Sequence, residues 1–316
     1  MITLEEAKVG MADKVAQTVI DEFRRSSLLL DSLKFDNAVS PGTGGSTLVY
    51  GYTRLKTPST ASFRAINTDY TPVEAVRDEA SAKLKIFGGN FQLDRVIIDT
   101  AGVVNELNFQ MRQKVMGATN LFHYTTINGD DTLNELEFEG LDKILTGTST
   151  EIQGGIDIST AALMDSNSQE FIDMLDAFLA ELEGTPTMLM GNSKLLTKIK
   201  GIARRAGYYT RSEDAFGRTV DNFGNIPLVD LRNYFDGTTS KPCVPIIGGN
   251  TDLYAIQIAE DGFHGVSPTG NSIISTHLPD LNAPGVMKLG DVEMVGAVVL
   301  KNSRKAGVLR NIKIGA

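Results

Sequence analysis

The chain has 316 residues, 41% hydrophobic and 22% charged, a globular composition long enough to bury a sizeable core in two domains or in one domain with long excursions. Disordered and collagen-like chains are excluded. Thirty Lys and Arg against 39 Asp and Glu leave a net charge of −9, so general attraction to phosphate backbones or anionic lipid is not expected and any nucleic-acid contact must be local. No apolar run approaches the roughly 20 residues of a membrane span, and residues 1–10 are acidic where a signal peptide would be basic and then apolar. These features point to a cytoplasm-like compartment and no membrane partner. One cysteine, Cys243, excludes an internal disulfide framework and reads as an inert buried thiol.

In chain order, Thr3 and Glu6 stand at capping-box spacing and predict a helix start. The helix carries Leu4, Ala7, Met11, Val15, Val19 and Phe23 on one face and charges on the other, so it needs a partner surface. Residues 35–46 hold Pro41 and three glycines, have no helical or strand period, and are expected to be an exposed linker that makes the helix an arm. A hairpin follows, with strands 47–53 and 63–70 around a turn at 56–62, able to project roughly 25 to 30 Å. Arg54, Lys56 and Arg64 are expected near its tip. It reads as either an edge hairpin or an extended loop lying on a neighbouring subunit.

Residues 81–99 alternate apolar and polar around Gly88-Gly89 and are expected as strands leading into the longest helix, 101–124. Its stripe of Val104, Leu107, Met111, Val115, Ala118 and Phe122 is one-sided, so the helix should lie across a sheet. After a polar link (128–134) and the segment 138–145, a Gly/Ser/Thr stretch through Gly155 is expected to mark a domain boundary. Beyond it helices at 169–183 and 193–206 alternate with strands at 187–190, 226–230, 244–247 and 253–258, and strands return at 292–300 and 308–314.

The sequence carries no recognisable catalytic or cofactor motif. No glycine loop is followed by the Lys and Ser/Thr of a phosphate cradle, His123, His264 and His277 are far apart in sequence, and no metal-ligand spacing occurs. Carboxylate pairs Asp130-Asp131 and Glu137-Glu139 sit in polar links where solvated charge is the usual reason. Lys194, Lys198, Lys200, Arg204 and Arg205 crowd one predicted helix. Without interleaved aromatic residues they read as a solvated face with carboxylate partners rather than a phosphate-binding face. No catalytic, cofactor-binding or metal residue is assigned, and no enzyme is expected.

The order of arm, Gly/Pro link, long hairpin, strand pair, one-sided helix, compact α/β unit and returning strands resembles the major capsid proteins of tailed bacteriophages, with the HK97 fold. Local sequence supports this. Phe138-Glu139-Gly140-Leu141-Asp142-Lys143-Ile144-Leu145 is similar to the segment after their spine helix, Phe223-Gly224-Asn225-Ile226-Pro227-Leu228-Val229 to their Gly-x-Pro-hydrophobic strand start, and Val299-Leu300-Lys301-Asn302-Ser303-Arg304-Lys305-Ala306 to their C-terminal strand and turn.

The resemblance implies an α+β capsid fold with an N-terminal arm (1–45), an extended loop (46–72), a peripheral domain (73–146 and 285–316) holding the spine helix, and an axial domain (147–284). It implies a shell of pentamers and hexamers around double-stranded DNA held by weak non-specific contact, with portal, scaffold or decoration proteins as partners, assembled in a host cytoplasm and ending in the virion. With Met1 at the start, any scaffold is expected to be a separate chain, or the sequence is that of an uncleaved precursor. Intersubunit contacts are expected from Arg54, Lys56, Arg64, Met11, Val15, Val19 and Phe23. Where such shells cross-link, an extended-loop lysine is used; Lys56 occupies that kind of position, but no asparagine or glutamate partner matches a motif. An encapsulin-like nanocompartment shares the fold, and a cytoplasmic α/β enzyme is the alternative from another class.

Overall fold

The computed structural model describes residues 28–38, 47–57, 59–100, 106–207, 209–213, 219–268, 274–277, 279–280 and 282–315. The predicted N-terminal helix, with Met11, Val15, Val19 and Phe23, lies outside them. In chain order a short helix α1 (Leu28–Ser32) precedes strand β1 (Phe35–Asn37), then β2 (Val49–Thr57), β3 (Val76–Lys83), β4 (Lys85–Asp94), α2 (Arg95–Thr100) and the long α3 (Glu106–Asn128). Next come α4 (Leu141–Leu145), β5 (Glu151–Gln153), α5 (Ala161–Ser166), α6 (Ser168–Ala180), β6 (Met188–Gly191) and α7 (Ser193–Ala206). Strands then dominate: β7 (Tyr209–Glu213), β8 (Thr219–Phe223), β9 (Ile226–Asp230), β10 (Asn233–Phe235), β11 (Ser240–Pro242), β12 (Asn250–Ile256), β13 (Phe263–Ser267), β14 (Ile274–His277), β15 (Met287–Leu300) and β16 (Ala306–Lys313).

The strands sort mainly into a five-stranded and a seven-stranded sheet. The first runs β1-β13-β15-β14, with β4 also paired along β15 from Met287↔Asp94 to Gly296↔Lys85. Helix α3, 23 residues and about 35 Å long, packs across β4 and β15 and buries Ala118 and Phe122, but it is not covered on one side only as expected: its C-terminal part also meets β10 and α4, with His123, Thr125, Thr126 and Ile127 buried around it.

The second sheet has the order β5-β16-β12-β6-β9-β8-β7. Its central strands are buried on both faces, and period-2 alternation divides their side chains between two cores. Met188, Met190, Tyr254, Ile256 and Val308 join the core that contains Phe122 and the end of β15. Leu189, Leu253, Ala255, Leu309 and Ile312 face α6 and α7, whose Phe171, Leu175, Phe178, Leu195 and Ile199 are buried. Helix α7 starts where the Asn192 side chain accepts from Lys194 N (3.0 Å) and stops at Gly207, whose φ of +81° suits the left-handed C-cap.

Several expectations are corrected. Residues 35–38 are not the linker their composition implies: β1 pairs in parallel with β13, and Leu29, Leu33 and Ala38 are buried, so residues 28–38 belong to the body, while 39–46 lie outside the described residues. The strand partner of β2 is β3, not 63–70, because the register Val49↔Lys83 to Thr57↔Val76 pairs β2 with the segment before β4. Residues 244–247 form no strand. The two C-terminal strands separate, β15 into the sheet under α3 and β16 between β5 and β12, while β13 and β14 join β15. Within 285–316, β15 thus pairs with β4 beneath α3 and β16 pairs with β12 and β5. Side-chain burial explains this: Leu309 and Ile312 reach the α6–α7 core.

Candidate assembly surface

The β2–β3 ladder is the root of an arm. Along β2, Tyr50, Tyr52 and Arg54 point to the body while Val49, Gly51 and Thr53 are exposed, the period-2 pattern of a strand with one covered face. Small Ala82 and Ala80 stand opposite the two tyrosines. Tyr50 Oη donates to Asp36 on β1 (2.6 Å), and its ring lies edge-on to His264 on β13 and under the Lys301 ammonium (5.4 Å). The Tyr50 bond and the Lys301 charge help hold the Asp36 carboxyl below its usual range. Arg54 Nη2 donates to Tyr52 Oη (2.7 Å) and to the Leu300 carbonyl (3.0 Å).

Beyond this root, residues 59–75 leave the sheet and every one of them is exposed. Phe63 is fully exposed, Ile66 is 89% exposed and Tyr70 61%. The segment keeps one local turn: Thr68 N donates to Ala65 O (3.3 Å), Asn67 takes a φ of 65°, and Arg64 Nη1 donates to Thr68 O (3.2 Å) with its guanidinium over the Tyr70 ring. Three large apolar side chains are therefore left uncovered on a segment that has no core of its own.

The sequence-predicted residues are thus divided. Arg64 is on the exposed excursion. Arg54 is not at the tip; it ties the root to its own chain, because strand alternation turns it toward β15. Lys56 lies in β2, its side chain outside the description, and Met11, Val15, Val19 and Phe23 are likewise outside. The basic helix is mostly absorbed within the subunit: Lys198 Nζ donates to Ile158 O and Ser159 O (2.6 and 2.7 Å), Lys200 pairs with Asp221 (2.6 Å), Arg205 pairs with Asp165, and Arg204 stacks on Tyr209. Cys243 is buried, its thiol pushed up to about 12 by burial, which suits an inert side chain.

Three features escaped the sequence reading. Lys143 gathers Asp130 (2.8 Å), Asp131 (2.5 Å) and Glu139 (3.2 Å), so the supposed solvated carboxylates clamp the loop after α3 and are held below the usual carboxylate range in the case of the aspartates. On that loop Leu133 and Leu136 are 86% and 80% exposed. Arg310 on β16 joins Asp142 (2.5 Å), Asp252 (3.1 Å) and Glu151, stitching α4, β12 and β5 together; burial nonetheless raises Asp252 above its usual range. Only the four-residue spacing of Lys143 from Glu139 carried a sequence signal; the other partners are distant in sequence. Among the described residues no group of three or more His, Cys, Asp or Glu is placed to hold a metal ion.

No protein-family model matches the sequence, and no curated protein matches it. Solved structures do match. An encapsulin complex from Synechococcus elongatus has a TM-score of 0.65 at 12% identity, over 99% of this chain and 97% of that one. The chain also matches Mycobacterium phage Bobi, at 0.62 and 12% identity over 100% of both chains. The chain has the HK97 fold. The capsid of Myoviridae phage XM1 agrees, at 0.60 and 12% identity over 99% of both chains.

Proposed function

We propose that this chain is the major capsid protein of a tailed double-stranded DNA bacteriophage, forming pentamers and hexamers that close as an icosahedral head. The observation that carries the reading is the exposed excursion at 59–75, with Phe63, Ile66 and Tyr70 uncovered, on an HK97-fold body. Apolar surface of that kind is covered by association, and closed symmetry lets head-to-tail contacts avoid open filaments. The sheet carrying α3 is assigned as the peripheral domain and the seven-stranded sheet with α6 and α7 as the axial domain. Portal, scaffold or decoration proteins and weakly held DNA are the proposed partners, the virion the final location and the host cytoplasm the place of assembly. Among the described residues no helix is long and apolar enough to cross a membrane.

An encapsulin-like shell is the second reading, favoured by the match over nearly the whole of an encapsulin subunit. Electron microscopy of the expressed protein, followed by assay of purified particles for nucleic acid and co-purifying protein, tests both. Closed particles able to take up DNA support the head; particles that retain a protein cargo and exclude DNA support the nanocompartment. A stable monomer at high concentration, without particles in any salt or scaffold condition, overturns both.

A further inference from the structure

We propose that His264 is an acid-operated latch on the β2–β3 root: one proton taken up by its imidazole frees the root from β1 and β13 while the two large sheets stay folded. The inference goes beyond the shell reading and does not depend on it, since it concerns a single subunit.

The root is built to move as a unit. Strands β2 and β3 pair with each other as a two-stranded sheet outside both large ones, and such a ladder is marginal without support. At its base Thr47 N donates to Ala38 O (3.0 Å); further out the links to the body are side-chain ones, Tyr50 Oη to Asp36 (2.6 Å) and Arg54 Nη2 to the Leu300 carbonyl (3.0 Å).

His264 lies under that seam. It is buried, with the Tyr50 ring edge-on to it at 6.1 Å. Its Nδ1 is 3.2 Å from Gly262 O, and a carbonyl only accepts, so Nδ1 carries the proton and Nε2 the lone pair. Nε2 is buried and makes no hydrogen bond. A second proton there is a charge without an acceptor, which a covered site resists and an uncovered one accommodates.

The charged groups around the ring are Asp36 on β1, Lys301 after β15 and Glu260 before β13, with the Tyr50 phenol on β2. Asp36 is already engaged by Tyr50 and faces Lys301 at 4.0 Å. Burial first and Lys301 second hold the imidazole below its ordinary value of 6.5, against the opposite pull of the Gly262 carbonyl, Asp36 and Glu260. A seated root therefore favours the neutral ring and a lifted root the charged one. Seating is fully present above about pH 6.5 and is lost as the pH falls toward the lowered value. Asp36 is not the group that titrates, because the Tyr50 bond holds its carboxyl below the usual carboxylate range.

Hydrogen exchange of the full chain dispersed in solution, corrected for the intrinsic pH dependence of exchange and followed from about pH 7.5 to about pH 5.5, tests the latch. Protection across 49–57 and 76–83 should fall below pH 6.5 by up to about tenfold per pH unit, the limit for one proton, while β6, β12 and β16 keep theirs. His264→Asn, which keeps a donor for Gly262 O and takes up no proton, should remove the pH dependence. Nitrogen NMR of the unmodified chain, which needs no variant to fold, should show His264 gaining its proton as root protection is lost. Root protection that ignores pH, equal loss in the central strands, the same acid loss in the Asn variant, or a ring that stays neutral while the root opens each overturns the latch. Particle formation is not read, so the shell reading stands or falls separately.

Discussion

Gly140 shows how tightly single positions are constrained. A Cβ there would lie 2.6 Å from Gly129 N, Ile127 O and Thr125 O, because the loop after α3 closes on itself through Gly140 N donating to Gly129 O (2.8 Å). Gly140→Ala should cost about 3 kcal/mol in dispersed subunits. Gly117, on the exposed side of α3 with open space around its missing Cβ, is the opposite case. Gly117→Ala should gain up to about 1 kcal/mol from helix propensity, both changes being read by urea unfolding. His123 supplies a pH dependence. It is buried, and burial pushes its pKa down from 6.5 to about 4, so the folded chain keeps it neutral while the unfolded chain takes up a proton. Stability should therefore be fully present above about pH 6.5 and fall by roughly 3 kcal/mol as pH drops toward 4. His264, lowered by burial first and Lys301 second, acts with the same sign. Unfolding curves at pH 7 and 4.5 should show a smaller difference for His123→Leu than for the unmodified chain.

At the scale of elements, the arm separates into a root that belongs to its own subunit and an excursion that does not. The root is fixed by Tyr50 to Asp36 and by Arg54 to Leu300, and the excursion has only the short turn around Asn67. Arg54→Ala should raise hydrogen exchange across β2 and β3 in dispersed subunits, while Arg64→Ala leaves it unchanged there. Replacing 59–75 by a short turn should leave circular dichroism and melting temperature unchanged and abolish particles. Particles of normal size from the shortened chain would show the excursion to be dispensable. The division follows from pairing: β2 and β3 satisfy each other's backbone groups and cover one face on the body, whereas 59–75 has neither.

For the whole molecule, the sequence leaves one more surface to be covered. If residues 4–25 take up the helix expected from their spacing, Met11, Val15, Val19 and Phe23 share one face, and burying it is worth roughly 6 to 10 kcal/mol before ordering entropy is subtracted. Hydrogen exchange should find residues 4–25 protected in particles and unprotected in dispersed subunits; equal protection in both would mean that the stripe packs on its own subunit.

The elements legible in the sequence are those whose information is local. The helical spacing of Leu107, Met111, Val115, Ala118 and Phe122 marked α3, that of 193–206 marked α7, and the β-rich runs before and after residues 301–305 marked β15 and β16. The order of these elements was enough to resemble the HK97 fold. Tertiary structure alone decided which strands pair and which side chains meet. Nothing near residue 50 shows that β2 will choose 76–83 over 63–70, since both are able to form strands and the choice depends on which segment continues into β4 and its ladder with β15. Arg310 and Lys143 likewise read as ordinary surface charges until distant segments bring carboxylates around them. Periodicity and capping act over a few residues and are written in the chain, while pairing and charge networks depend on contacts between segments tens to hundreds of residues apart, which form only when the whole chain is folded.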